Sequence, residues 1–159
     1  MSLLSFKDVM SAVPTSVSII SCIKSAKIYG CTISSLVSLD VSDTSSKIAF
    51  MLKKESLVGK TIISNKSFSI NVLSAEQEAL ARYYSNVRLP DLIGDNKWKI
   101  LHNKFAHIKD ARIMLDCEHH DIFEEYPANI YVARVVDSSV NKVLPPLIYE
   151  SRNFINLNK

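Results

Sequence analysis

Short segments of β-type sequence recur along the chain, and their density limits the fold more than any other feature. Runs rich in β-branched and aromatic residues, bounded by polar turn residues, are typical of strands. They occupy residues 16–23, 28–38, 47–52, 67–73, 111–120, 129–137 and 145–151. No long helical pattern alternates regularly with them. The sequence therefore predicts a mainly β fold, an antiparallel barrel and not a parallel sheet.

A short helix is predicted at the start of the chain. Ser5 and Asp8 have the spacing of a capping box. The apolar residues that follow fall on one helical face, and Pro14 ends the pattern. This apolar stripe consists of Phe6, Val9, Met10 and Val13.

Two further helices are predicted in the middle of the chain. Residues 53–65 contain a short helix that opens near Ser56. Ser74 and Gln77 form a second capping-box pattern, and this role accounts for Gln77 better than a ligand contact. In the helix that follows, Glu78 and Arg82 have the favourable i,i+4 order. Residues 86–97 are predicted to be a loop, which Trp98 anchors to the core.

The chain is predicted to be a single domain over residues 1–159. Its hydrophobic content of 47% is ordinary for a globular protein, and three glycines with no Gly/Ser/Pro-rich stretch leave no linker. The net charge is +3 and the basic residues are scattered, which argues against nucleic-acid binding. We find no apolar run of membrane-spanning length and no signal-peptide pattern.

Three cysteines indicate the compartment. Cys22, Cys31 and Cys117 are odd in number and lie in strand-like segments. They are expected to be buried thiols and not a disulfide framework, which favours a reducing, cytoplasmic location.

The sequence does not contain the common catalytic and metal-binding patterns. Cys117, His119 and Asp121 would share one face of a strand, but no fourth ligand has suitable spacing for zinc. The chain has neither a glycine-rich phosphate loop nor a serine-hydrolase elbow. No catalytic residue is assigned.

The strand segment YGCTISSLVSLD, residues 29–40, is unusual because it carries several small hydroxyl side chains. One face is narrow and almost uncharged, which would let a flat polar ligand approach the backbone. That face consists of Gly30, Thr32, Ser34, Leu36 and Ser38. The opposite face is core-like apart from Ser35, and it consists of Cys31, Ile33, Ser35, Val37 and Leu39.

A second candidate site follows the strand at 47–52. Lys53, Lys54 and Ser56 lie where a helix begins, and the positive end of a helix beside two lysines can hold a phosphate. A solvated loop explains the same residues equally well.

Four motifs, in order, resemble the flavin reductase domain, the small reductase component of two-component flavin monooxygenases. They are VPTSVSIISC, GCTISSLVSLD, FSINVLSAEQEAL followed by ARYYS, and PPLIYESRNF. The resemblance extends over roughly residues 5–155.

The resemblance implies a split β-barrel of Greek-key type with a few short peripheral helices. It implies a homodimer that binds FMN, or FAD, and takes hydride from NADH or NADPH. A partner monooxygenase that receives the reduced flavin is also implied. By position, the flavin would be lined by Thr32, Ile33, Ser34 and Ser35. The phosphate and ribityl chain would lie near Lys53, Lys54, Ser56, Ser85 and Arg88. Since the cofactor carries the redox chemistry, the protein need only bind and orient it.

One departure from the family leaves the activity open. Members usually carry a Gly-Asp-His motif whose histidine borders the nicotinamide. The preferred alignment places Ala128 at that position, and a second alignment places His120 there. Three hypotheses therefore stand: an NAD(P)H-dependent flavin reductase, an FMN-binding carrier or redox sensor without nicotinamide turnover, and a barrel scaffold for a protein partner.

Overall fold

The computed structural model describes residues 5–86 and 89–157. Within these ranges the helices are α1 (Phe6–Ser11), α2 (Leu57–Asn65) and α3 (Glu78–Asn86), and a 3-10 turn (Ala75–Gln77) leads into α3. The strands are β1 (Thr15–Ser16), β2 (Ser18–Lys24), β3 (Lys27–Ile33), β4 (Val37–Asp40), β5 (Lys47–Lys53), β6 (Ser67–Val72), β7 (Asp91–Leu92), β8 (Trp98–Leu101), β9 (Phe105–Ile108), β10 (Ile113–Phe123), β11 (Ala128–Val140), β12 (Leu147–Glu150) and β13 (Asn153–Asn156).

The predicted helix starts are confirmed by their capping hydrogen bonds. Asp8 N donates to Ser5 Oγ, and Ser5 N donates back to the Asp8 carboxylate, each at 3.2 Å. Ser56 Oγ accepts a first-turn N–H of α2 at 3.3 Å. Ser74 N donates to Gln77 Oε1 at 3.1 Å, so the structural role predicted for Gln77 is confirmed.

The predicted strands are present, together with others that were not predicted. The segment predicted at 28–38 is two strands, β3 and β4, separated by residues 34–36. The hairpin β8–β9 was not predicted, although its two runs flank the polar turn at His102 and Asn103, both of which have positive φ. The short strands β7 and β13 were also missed.

The main sheet curls round on itself. It has eight strands in the order β4, β5, β11, β10, β6, β2, β3, β7. In a flat sheet, β4 and β3 would be about 29 Å apart, six spacings of about 4.8 Å. Only residues 34–36 connect them, and four Cα steps reach about 14 Å at most. The sheet must therefore bend until the end of β3 lies near β4 and β5.

The ladder of hydrogen bonds does not close. Within the described residues, 5–86 and 89–157, no strand pairing joins β4 to β3 or to β7. Every strand pair found there is antiparallel. The prediction of a mainly β, antiparallel fold with short helices is confirmed, and the sheet is curled and open.

A core lies on each face of the sheet, and β2 contributes to both. Ile20 and Cys22 pack into the first core with residues of β5, β6, β10, β11 and α2. Ile19, on the other face of β2, packs into the second core with residues of α3 and β8–β9. Trp98 is buried in this second core, as predicted. Both faces of β2 are covered, and its residues 18–23 are accordingly all apolar or small.

Two apolar faces, one on α1 and one on β4, are exposed. Helix α1 has no buried residue, although its apolar stripe is present. Val37 and Leu39 are 52% and 56% exposed, so the prediction of a core-like face is wrong for them. They lie on β4, an edge strand that pairs with β5 alone among the described strands, and neither core cluster of the described residues includes them.

None of the helices in the described part of the chain has the length and apolar character needed to span a bilayer. All three cysteines are free thiols. Burial raises the pKa of the Cys22 thiol to about 12 and also raises the pKa values of Cys31 and Cys117.

Candidate functional site

A cavity of about 410 Å³ lies between the end of β3, helix α3 and the β12–β13 hairpin. This volume is within the range of about 300–1,000 Å³ that small-molecule sites occupy. Its apolar lining consists of Val17, Ile33, Ala81, Tyr149 and Phe154. Its polar lining consists of Thr32, Ser34, Arg82, Ser85, Asn86 and Arg152. Four of the predicted flavin-site residues, Thr32, Ile33, Ser34 and Ser85, thus meet at one place.

The narrow face of β3 is only partly open to this cavity. A Cβ on Gly30 would lie 2.7 Å from Tyr84 Cδ1, so glycine is required there by the close approach of α3. Thr32 Oγ1 donates to the Ala81 carbonyl at 2.8 Å and ties β3 to α3. The face that was predicted to be a ligand surface along its length is therefore partly a helix-packing surface. Its open part begins at Thr32 and reaches Ser34.

The two serines that follow β3 have different environments. Ser34 is exposed and lines the cavity. Ser35 Oγ accepts from Met51 N at 2.9 Å and lies 3.3 Å from the Met51 carbonyl, so it fastens the connection after β3 to β5. The hydroxyl of Ser34 is available to a ligand, whereas that of Ser35 already serves the fold.

Two arginines that were not predicted to be site residues, Arg82 and Arg152, line the cavity. Arg82 pairs with Glu78 at 2.7 Å, as the i,i+4 spacing predicted, and its guanidinium lies 4.7 Å from the centre of the Phe154 ring. Arg152 pairs with Asp8 of α1. The only available signal was that both arginines fall inside the motifs that carry the family resemblance.

The end of α3 is held in place from the second core. Asp91 accepts the Tyr84 hydroxyl and, at 2.9 Å, the Trp98 indole N–H, and Lys97 lies 3.3 Å from its other oxygen. Burial, together with the neighbouring Asp91, raises the pKa of Tyr84, so its hydroxyl remains a neutral donor. This cluster fixes the helix whose last turn carries Ser85. The predicted residue Arg88 lies outside the described residues.

Four of the predicted residues do not line the cavity: Ser35, described above, and Lys53, Lys54 and Ser56. Ser56 caps α2, Lys54 Nζ lies 3.7 Å from Glu124, and Lys53 is exposed. They form a separate corner where β5 passes into α2. Their assignment to a phosphate site stays a prediction.

The corner nevertheless lies close to β3. Val37 pairs with Ala49, and the Ser35–Met51 contacts continue that register. Moving two residues further along the same register would place Lys53 beside Ile33, the last residue of β3. The Lys53 charge also opposes the raised pKa of Cys31 on β3, which agrees with this proximity.

The two candidates for the family histidine position lie in different surroundings. Ala128 pairs with Lys53 across β11 and β5. His120 is exposed on β10, where the register shifts between His119 and Asp121. Residues 5–86 and 89–157 contain no group of three His, Cys, Asp or Glu side chains placed to hold a metal ion.

Comparison with known proteins gives one family and a consistent fold. Residues 10–158 match the family model described as the flavin reductase like domain. No curated protein matches the sequence closely enough to count as a relative.

Several solved structures are similar across nearly the whole chain. The NADH:FAD oxidoreductase SgcE6 of Streptomyces globisporus C-1027 is 19% identical, with a TM-score of 0.87 over 99% of this chain and 98% of its own. BorF, the flavin reductase component of a bacterial two-component tryptophan halogenase, is 20% identical, with a TM-score of 0.85 over 94% of each chain. The flavin reductase SMOB of the Pseudomonas putida S12 styrene monooxygenase is 16% identical, with a TM-score of 0.81 over 95% of this chain and 96% of its own.

Proposed function

The chain belongs to the flavin reductase like domain family, and from this premise we propose that it is an NAD(P)H-dependent flavin reductase. One observation carries the proposal. The four segments that carry the family resemblance are distant in sequence, yet each contributes to the lining of the cavity described above. The first supplies Val17, the second Thr32 to Ser34, the third Arg82 and Ser85, and the fourth Tyr149 and Arg152.

The cavity lining suits a flavin. Val17 and Tyr149 offer apolar surface to a flat ring, and Ser34 offers a free hydroxyl at the end of a rigid strand. Arg82, Arg152 and the Asn86 amide are donors of the kind that bind phosphate. When bound, the flavin supplies the redox chemistry by accepting a hydride from the reduced nicotinamide. The residues of the chain bind and orient, and no acid or base catalyst is assigned.

Lys53, Lys54 and Ser56, at the start of α2, are proposed to lie near the flavin phosphate and ribityl chain. Two lysines beside the N-terminus of a nine-residue helix favour an anion there. Ser85 and Arg88 are proposed to complete the phosphate side, and Thr32, Ile33, Ser34 and Ser35 to line the ring.

Binding and turnover can be tested separately. FMN is the proposed flavin, and the alternative is FAD, which occurs as fragments, together with NAD fragments, in a solved complex of the Streptomyces protein. Purified protein should quench FMN fluorescence on titration, and parallel titration with FAD distinguishes the two. NADH and NADPH oxidation with FMN present should then exceed the rate of FMN alone. The proposal would be refuted if the protein quenched the fluorescence of neither FMN nor FAD.

A second candidate function is flavin binding without nicotinamide turnover, as a carrier or redox sensor. The observation that favours it is Ala128, which stands where the preferred alignment places the family histidine. Tight flavin binding with no NAD(P)H oxidation above background would select this candidate, whereas rapid oxidation would exclude it.

We also propose that the protein is a homodimer. The exposed apolar residues of β4 and its end, including Leu39 and Val41, form a surface that a second copy would cover. Val41→Lys should shift the mass measured by light scattering towards that of one chain. Val143→Lys is the matched control, since both valines are more than 80% exposed but Val143 lies in the loop after β11. A monomeric wild-type protein would contradict the proposal.

A partner and a compartment complete the proposal. The reduced flavin is proposed to pass to a separate monooxygenase. SMOB is the flavin reductase of styrene monooxygenase, and BorF is the flavin reductase component of a two-component tryptophan halogenase. The three free thiols support a reducing, cytoplasmic compartment.

A further inference from the structure

Arg152 lines the cavity from a strained position. It lies in the two-residue turn between β12 and β13, where Ser151 has a φ of 48° and Arg152 a φ of 64°. Turns of this kind favour asparagine and glycine, because other side chains raise the backbone energy in the left-handed region. A strained residue at the rim of a cavity suggests a function for its side chain.

The guanidinium of Arg152 is held by the first helix. Asp8 of α1 pairs with it, and Ser151 N donates to the Ser11 carbonyl, also on α1. No residue of α1 is buried. The contact between α1 and the hairpin turn therefore depends on polar groups and not on apolar burial. Another anion can replace Asp8 as the partner of Arg152 at a small free-energy cost.

We propose that Arg152 binds the phosphoryl group of a nucleotide in the cavity and that Asp8 competes for it. The proposal rests on the proposed function and concerns the regulation of the same site. Without the nucleotide, Asp8 keeps the arginine paired and α1 docked on the turn. A phosphoryl group displaces the carboxylate and releases α1 from Arg152.

The chemistry of the competitors favours this exchange. The Asp8–Arg152 pair is about half exposed, and such pairs are screened and weak. A phosphoryl group carries more charge and matches the planar guanidinium with two parallel hydrogen bonds. Arg82 is less available, because it is paired with Glu78 and also stacked on the Phe154 ring.

Two ligand pairs identify the source of the phosphoryl group. FMN and riboflavin differ only in the flavin 5′-phosphate, and NADPH and NADH differ in the 2′-phosphate. Dissociation constants are measured by fluorescence for both pairs, and inorganic pyrophosphate is titrated by calorimetry as a probe that needs neither nucleotide. Asp8→Asn should tighten binding of FMN but not riboflavin, of NADPH but not NADH, or of both nicotinamides together by about two- to fivefold. These outcomes assign the flavin 5′-phosphate, the 2′-phosphate and the diphosphate shared by NADH and NADPH, respectively. Arg152→Gln should weaken binding of the same ligand or ligands by about 10- to 100-fold and abolish the effect of Asp8→Asn in the double variant.

Two controls separate the carboxylate from the helix. Glu118→Gln removes the acid from the Glu118–Arg134 pair, which is similarly exposed but lies outside the cavity lining, and it should change none of the constants. Ser11→Ala removes the hydrogen bond from Ser11 Oγ to the Asp8 carbonyl within α1 and leaves the partners of the Asp8 carboxylate in place, so it should not reproduce the selectivity for the phosphorylated ligand.

The inference would be overturned if Asp8→Asn tightened riboflavin as much as FMN, if it tightened no phosphorylated ligand, or if Glu118→Gln gave the same shift. Failure of the proposed function looks different, since the wild type would then bind neither flavin nor nicotinamide. In that case the pyrophosphate titration decides: binding that tightens in Asp8→Asn supports the role of Arg152, and absence of binding overturns it.

Discussion

Replacing Ser34 should separate flavin binding from folding. Ser34 is exposed, lines the cavity, and makes no side-chain hydrogen bond within the described part of the chain. Substitutions at such surface positions usually change the free energy of unfolding by less than about 0.5 kcal/mol. Ser34→Ala and Ser34→Leu should therefore unfold in urea at nearly the wild-type midpoint.

The two variants should differ strongly in flavin affinity. Ser34→Ala removes one hydroxyl, and loss of one hydrogen bond of about 0.5–1.5 kcal/mol weakens binding about 2- to 10-fold. Ser34→Leu adds a branched side chain to a cavity of about 410 Å³ that the ring itself must enter. We expect a loss of more than about 100-fold, equivalent to about 2.8 kcal/mol.

Thr32 provides the contrast, because it lies two residues earlier on the same face. Its hydroxyl already donates to Ala81 O at 2.8 Å, so Thr32→Val should lower the free energy of unfolding by about 1–2 kcal/mol. Affinities come from quenching of FMN fluorescence and stabilities from urea denaturation. If Ser34→Leu binds FMN within threefold of the wild type, the ring lies elsewhere and the assignment of this cavity is refuted.

Three other predictions concern stability. Ser25 and Ala26 form a turn with φ values of 51° and 57°, so replacing them with Asn-Gly should raise the free energy of unfolding by about 1–2 kcal/mol. An unchanged urea midpoint would show that this turn is not strained. Asp91→Ala leaves the buried donors of Tyr84 and Trp98 without an acceptor and should lower the free energy of unfolding by about 2–4 kcal/mol. A decrease of less than about 1 kcal/mol would show that this carboxylate does not stabilise the cluster. Burial lowers the pKa of His119, so the unfolded state binds its proton more tightly, and stability should be lost as the pH falls through 6.5. His119→Gln should flatten that part of the pH profile, measured by urea denaturation at each pH.

Local features of the fold could be predicted from the sequence. The caps at Ser5, Ser56 and Ser74 and the main strands were all located correctly, because capping and strand formation depend on residues within a few positions of each other. The missed hairpin β8–β9 had a readable signal in its polar turn, and the strands β7 and β13 are too short to give one.

The candidate site could be predicted only in part. Thr32, Ser34 and Ser85 came from motifs, whereas the roles of Gly30 and Thr32 in packing against α3 needed the position of Tyr84 and Ala81. The pair of Asp8 and Arg152 joins residues 144 positions apart, and no spacing rule connects them.

The sequence by itself determined where strands and helices begin, because backbone hydrogen bonding and capping are satisfied locally. It also determined the family, through short motifs in a fixed order. Only the tertiary structure decided which apolar faces remain exposed and which polar side chains meet at the cavity. The physical reason is that both depend on the curl of the eight-stranded sheet, which brings the end of β3 to β5 and leaves β4 uncovered at an edge. That curl follows from the twist and connections of all the strands together and is not encoded in any one of them.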